Sequence, residues 1–161
     1  MTLREGEPAP RAQARDLAGA GVDLAGLAAA GPALLFFYKG DCPASGVAAH
    51  PLPRLAAVPG VAVTVVSQDA EAETRAFAAR HGLDPGVRVL RDPAPFPASD
   101  AFGVRATPTW ILLAPGGRLE RVTEGWSRDD ANALAARAAA LAGAPPPVVS
   151  TEADGPGFRP G

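Results

Sequence analysis

Sulfur is nearly absent from this chain. Its 161 residues include one Cys, Cys42, and one Met. A single cysteine excludes an internal disulfide framework. It also excludes a thiolate zinc cluster, and two distant histidines, His50 and His81, do not supply a metal site. No metal is expected, and no motif indicates an organic cofactor. Lysine is equally scarce: the only one, Lys39, stands three residues before Cys42. Charge of one sign is missing too. Fifteen basic against seventeen acidic residues leave −2, with no block of like charge. A nucleic-acid binder would carry a basic footprint, so that class is excluded. The apolar runs, such as Ala33 to Tyr38, fall far short of the ~20 residues of a membrane span. The opening residues, Met1 to Pro8, hold no apolar signal core, which leads us to expect a cytoplasmic location.

What is present is apolar residue, glycine and proline: 47% hydrophobic, with 18 Gly and 18 Pro. The length suits one domain. A chain of this size buries roughly 68–70% of its unfolded surface, enough for a core without staples. Two runs, Ala33 to Tyr38 and Val61 to Val66, read as strands buried on both faces. Val87 to Leu90 is a shorter candidate. Thr109 to Leu113, then Pro115-Gly116-Gly117, then Arg118 to Glu124, read as a hairpin. Helices are expected between them, one capped by Asp69 and running to about Arg80, another capped by Ser127 and stopped by Gly143. Leu134, Ala138 and Leu141 form the buried stripe of that second helix. Trp110 is expected in the core, and Trp126 as a hydrophobic staple before the Ser127 cap.

The order predicts an α/β fold: a central mixed sheet flanked by helices, with a C-terminal β-hairpin plus helix. Residues 1–143 form the domain, the first thirty or so as an irregular cover. Residues 144–161, opening near Pro145-Pro146-Pro147, read as an extended or disordered tail. Gly19-Ala20-Gly21 lacks the third glycine and the preceding strand of a phosphate loop, and reads as a plain loop.

Cys42 and Pro43 follow the first strong strand by the short turn Lys39-Gly40-Asp41. Proline suits the first position of a helix, which puts Cys42 at an N-cap. A thiolate there is favoured by free backbone N–H groups. Ser45, three residues on, brings a hydroxyl within reach of the sulfur. Lys39 adds positive charge nearby, whereas Asp41 opposes the thiolate. The plainer readings stand beside these: a buried cysteine acting as a small hydrophobe, Ser45 as a capping residue, Lys39 as a solvated charge. His50 and His81 read as ordinary surface or helix-end residues rather than catalytic ones.

The segment from Phe36 to Ser45 resembles the strand, turn and active-site start of a thioredoxin-like protein. Phe102-Gly103-Val104-Arg105-Ala106-Thr107-Pro108-Thr109 resembles that superfamily's cis-proline segment, and Leu113 to Trp126 the hairpin after it. Glu7-Pro8-Ala9-Pro10 resembles the opening of the redoxin group, which includes the alkyl hydroperoxide reductase/thiol-specific antioxidant proteins. The resemblance implies a reactive Cys42 preceding Pro43, with Pro108 facing it and the Thr107 backbone available to an extended substrate. Three positions depart from it. The dithiol motif Cys-Pro-x-Cys has Ser45 in place of its second cysteine. The proline and the Thr or Ser that precede a peroxidatic cysteine are here Leu35 and Lys39.

Three functions compete. The first is a monothiol thiol–disulfide oxidoreductase, in which Cys42 forms a mixed disulfide resolved by glutathione or a protein thiol. The second is a one-Cys peroxidase passing through a sulfenic acid, against which Lys39 argues. The third is a non-catalytic binding module whose groove at Thr107 and Pro108 holds a peptide.

Overall fold

The computed structural model describes residues 3–161. Seven strands form the main sheet. In chain order they are β1 (Gln13–Arg15), β2 (Gly21–Asp23), β3 (Ala33–Tyr38), β4 (Ala62–Ser67), β5 (Arg88–Arg91), β6 (Thr109–Leu113) and β7 (Leu119–Glu124). Their spatial order is β2-β1-β5-β4-β3-β6-β7. The neighbours β3–β4 and β4–β5 are parallel, whereas β3–β6 and β6–β7 are antiparallel. The sheet is therefore mixed, as expected.

Every residue of β3 is buried, and the reason is its place in the middle of two layers. Side chains alternate across a strand. Leu34, Phe36 and Tyr38 point to one face, where they meet Leu52, Leu55, Phe77, Leu134 and Ala138. Those residues come from α2 (Pro51–Ala56), α3 (Glu71–Arg80) and α5 (Arg128–Ala142). Ala33, Leu35 and Phe37 point to the other face, which is covered by Ala98 and Phe102, in and just after α4 (Pro97–Ala101), and by Ala14, Leu24 and Ala28 of the N-terminal region. Each such large apolar side chain contributes roughly 1.5–3 kcal/mol on burial. The first face also carries stacked and edge-on aromatic pairs: Phe36 lies 4.6 Å from Trp110, and Tyr38 lies 4.1 Å from Phe77.

Three local expectations change, and one helix divides. The N-terminal region is not only irregular cover: β1 and β2 form a hairpin whose Arg15 pairs with Arg91 at the sheet edge. Three-residue strands are too short for alternation to show. Asp69 does not cap α3. That helix starts after Ala70, which has no side chain to cap with, and Asp69 Oδ2 instead accepts from Gly40 N at 2.8 Å. The helix after Cys42 is two pieces, α1 (Pro43–Val47) and α2, because Pro51 opens a fresh first turn. The tail, finally, is not a loose appendage. Val149 and Ser150 are buried, Glu152–Asp154 forms a 3-10 turn, and β9 (Phe158–Arg159) pairs antiparallel with β8 (Trp126–Ser127).

The capping of α5 is as predicted. Ser127 accepts from Asp130 N, and Gly143 closes the helix at φ 72°. Leu134 and Ala138 are buried, and Leu141 packs on the core only in part. Trp110 is buried in the core. Trp126, also buried, packs edge-on against His50 at 5.0 Å.

Candidate active site

Cys42 sits where the expectation put it, between β3 and α1. Its backbone is extended, with φ −78° and ψ 119°, and it forms the N-cap of α1 with Pro43 at the first helical position. The turn is fixed from two sides. Cys42 N donates to Lys39 O at 3.1 Å, and Gly40 N donates to the Asp69 carboxylate at 2.8 Å. The side chain is partly exposed and free of any disulfide.

The antiparallel pairing of β3 with β6 brings the far end of one strand beside the start of the other, Phe37 opposite Thr109. The segment before Thr109 thereby reaches Cys42. The Thr107–Pro108 peptide is cis, and the Cys42 thiol donates to the Thr107 carbonyl at 3.1 Å. That segment is itself held: Thr109 Oγ1 donates to Ala106 O, Gly125 N to Pro108 O, and Trp110 Nε1 to Gly125 O. Cys42, Pro43, Ser45, Thr107 and Pro108 thus form one site.

Burial pushes the Cys42 thiol up, but it is outweighed. The Ser45 N–H, the Thr107 side chain, the Ser45 hydroxyl and the Ala44 N–H together hold it below its ordinary value. The S–H to Thr107 carbonyl bond favours the thiol and works the other way, so the lowering comes from the donors on α1 and the Thr107 side chain. Ser45 Oγ is fully buried and makes no hydrogen bond. Its influence on the sulfur and its lack of a partner fit together if the hydroxyl serves the thiolate rather than the thiol: it is a donor waiting for an acceptor.

Lys39 does not join the site. Its side chain is exposed, and its nearest carboxylate is that of Asp41, 4.0 Å away. Neither histidine is a hydrogen-bond partner of Cys42. His50 Nδ1 faces the Val47 carbonyl at 2.7 Å and must donate to it, so Nε2 accepts from Ser150 Oγ at 2.8 Å. Burial lowers the pKa of His50 and also that of His81, whose ring lies tilted against Phe77 at 4.3 Å.

The tail contacts were missed from sequence. Arg54 of α2 makes a two-pronged pair with Asp154, at 2.7 and 2.8 Å, and donates to Val149 O. Asn132 of α5 accepts from Val149 N and donates to Ser150 O. Trp126 Nε1 donates to Pro156 O. The signal was there in Val148-Val149, an apolar pair just after the prolines, and in Thr151 and Asp154, which form a capping box.

Among the described residues, no group of three or more His, Cys, Asp or Glu is placed to hold a metal ion, and no helix is long and apolar enough to cross a membrane. No protein-family model matches the chain, and no curated protein matches its sequence. Its fold does match solved structures. A putative thiol:disulfide interchange protein DsbE from Chlorobium tepidum is 22% identical with a TM-score of 0.74, covering 87% of this chain and 99% of that one. DsbF of Mycobacterium tuberculosis, seen in mixed oxidised and reduced forms, is 25% identical with a TM-score of 0.67, covering 80% and 98%. A peroxiredoxin-like protein from Aquifex aeolicus is 18% identical with a TM-score of 0.68, covering 83% and 87%. With its sheet order and these likenesses, the chain has the thioredoxin-like fold.

Proposed function

We propose that the protein is a monothiol thiol–disulfide oxidoreductase centred on Cys42. The observation that carries this reading is the sulfur's setting: partly exposed, at the start of α1, held below its ordinary pKa and seated against the Thr107 carbonyl. The similarity to thiol:disulfide interchange proteins points the same way.

The chemistry needs a second thiol from outside. The Cys42 thiolate attacks one sulfur of a disulfide, RS–SR′. A bond forms between Cys42 Sγ and that sulfur, and R′S⁻ leaves and takes a proton from water. In a dithiol enzyme the next cysteine would expel R. Ser45 stands there instead, and an alcohol is no replacement for a thiol in that displacement. A thiolate R″S⁻, from glutathione or a protein, attacks the R sulfur, giving RS–SR″ and restoring the Cys42 thiolate. Electrons balance across the two steps, and the protein ends as it began.

The peroxidase alternative lacks a comparable feature. The position that would carry a peroxide-orienting hydroxyl is Lys39, whose side chain extends to solvent.

Alkylation of Cys42 across pH, with mass analysis after exposure to glutathione disulfide, tests the proposal. Half-maximal alkylation is expected below the ordinary thiol value of about 8.5, together with a glutathione adduct absent from Cys42→Ser. A thiol titrating at the ordinary value and forming no adduct contradicts it.

A further inference from the structure

Gly161 lies at the same carbonyl oxygen that Cys42 uses. After the 3-10 turn, the chain runs as β9 alongside Trp126–Ser127, with Trp126 opposite Arg159. It then passes Gly125, where φ is +74° and a Cβ would come within 3.0 Å of Arg159 O and Gly161 N. At Gly161 a Cβ would meet Thr107 O at 2.8 Å. The Cys42 thiol donates to that oxygen at 3.1 Å. Glycine at both positions is what allows so close an approach, since any side chain would strike backbone.

An extended peptide docks by adding a strand to an open edge, where unpaired N–H and C=O groups supply its hydrogen bonds. Here the edge offered by Trp126–Ser127 is already taken by β9, and the approach along it to Thr107 is filled by Pro160 and Gly161. The occupancy is well anchored upstream. Arg128 N donates to Gly157 O at 2.8 Å, and Arg128 Nη2 donates to Gly155 O at 2.6 Å. Trp126, Arg54 and Asn132 hold the segment before it. Cys42 remains partly exposed despite this cover, and the buried Ser45 hydroxyl beside it still lacks a partner. The site is open to a small reactant and closed on its peptide-binding side.

We infer that residues 158–161 are a specificity element that reserves Cys42 for small disulfides, such as glutathione disulfide, and excludes disulfides carried on extended peptides. The inference rests on the thiol–disulfide reading and names its substrate class. In the step selected, Cys42 S⁻ attacks glutathione disulfide, forms the Cys42–glutathione bond and releases one glutathione thiolate. A thiolate R″S⁻ then attacks the glutathione sulfur of that adduct, giving R″S–S-glutathione and restoring the Cys42 thiolate, so one disulfide is exchanged for another.

Two probes decide it: glutathione disulfide, and a short peptide dimerised through a central cysteine. The rate of the first Cys42 adduct is measured for the full-length protein and for the double variant Arg159→Pro/Gly161→Val. The proline removes an N–H from β9, and the valine puts a branched side chain against Thr107 O, so the element is dislodged while the core is untouched. Hydrogen exchange at Arg128, whose N–H donates to Gly157 O at 2.8 Å, reports its release. In the unaltered protein the small disulfide is expected to react at least about tenfold faster than the peptide. In the variant the peptide rate is expected to rise about tenfold, with the small-disulfide rate unchanged. Equal rates for the two probes in the unaltered protein overturn the inference, as does a variant that discriminates as before. A Cys42 that reacts with neither probe in either protein instead removes the thiol–disulfide reading itself, and this inference with it.

Discussion

At the scale of single residues, two buried hydroxyls without partners have opposite meanings. Ser45 Oγ makes no hydrogen bond, yet it lies beside a sulfur whose ionised form would accept one. Ser45→Ala is therefore expected to move half-maximal alkylation of Cys42 to higher pH, with little change in thermal stability, because the ground-state thiol loses no bond. An unmoved titration would show that the hydroxyl does not serve the thiolate. Ser45→Cys restores a second thiol on the first turn of α1. It is expected to give an internal disulfide on oxidation and turnover less dependent on added glutathione. The Tyr38 hydroxyl has no such purpose. Ser67 and Thr74 bond to each other at 2.6 Å, and Thr74 donates onward to Ala70 O, so neither is committed to Tyr38 OH, which is left unpaired. Burial raises its pKa to about 12, so the phenol stays neutral. An unsatisfied buried polar group costs about 1–3 kcal/mol. Tyr38→Phe keeps the stack on Phe77 and is expected to leave stability unchanged or raise it by up to about that amount, read from urea unfolding. A clear loss would mean the hydroxyl has a partner after all.

At the scale of elements, the legible parts were those that repeat a physical signal over enough residues. β3 and β4 are apolar on both faces, and six residues of that pattern suffice to place a central strand. The α5 helix is marked at both ends, by the Ser127 cap and by Gly143 in the left-handed region. The Cys42-Pro43 start of α1 is readable because proline suits the first position of a helix, whereas the Thr107-Pro108 turn is marked only by the resemblance to a cis-proline segment. The elements that escaped lacked such repetition. β1 and β2 have three residues each, and only Ala14 among them is buried. Asp69 carried every mark of a helix cap, but its carboxylate is taken by a backbone N–H 29 residues away, which no local pattern reveals. The order of the extended tail is hidden for a related reason. Proline and glycine exclude long helix, and they do not exclude order. Its hydrogen bonds go to Arg54, Asn132, Trp126 and Arg128, all donated or accepted from elements far back in the chain. Of the candidate site, Cys42 and Ser45 are marked by residue chemistry and Thr107 and Pro108 by the resemblance alone, while its cover leaves no local mark.

At the scale of the whole molecule, the histidines make stability depend on pH in a direction that can be worked out. His50 and His81 are the only two in the chain, and both have folded pKa values below the ordinary one, chiefly because burial disfavours the charged ring. For His50, Arg54 and Arg128 add to the depression, while the Val47 carbonyl and Asp154 partly offset it. For His81, Arg80 adds to it. As pH falls through about 6.5, the unfolded chain takes up protons that the folded protein refuses. Stability then falls with pH, and keeps falling until the depressed folded values are passed. Asp154 acts lower still. Its carboxyl, held by Arg54, sits far below the usual range, so its contribution is intact above the ordinary carboxylate value of about 3.9 and is lost only in stronger acid. Between pH 7.5 and 5 the histidines therefore act, and Cys42, also held below its ordinary value, adds to the decline at the upper end. Protonated His50 would also lose its acceptor for the Ser150 hydroxyl and set a positive charge beside Arg54 and Arg128, the side chains that hold the tail, so acid loosens that anchor. Urea unfolding at pH 7.5, 6.5 and 5.5 is expected to show a steady decline in the unaltered protein. The decline should shrink in His50→Gln and in His81→Gln, and shrink most in the double variant. The protection of the Ser150 amide against hydrogen exchange, taken relative to the intrinsic rate at each pH, should fall on acidification in the unaltered protein and in His81→Gln. In His50→Gln, which has no ring to protonate, it should no longer respond to pH. A midpoint that stays flat from pH 7.5 to 5.5 would mean that both rings titrate as freely in the folded protein as in the unfolded chain, and the buried His50–Ser150 contact would then not be the one that holds the tail.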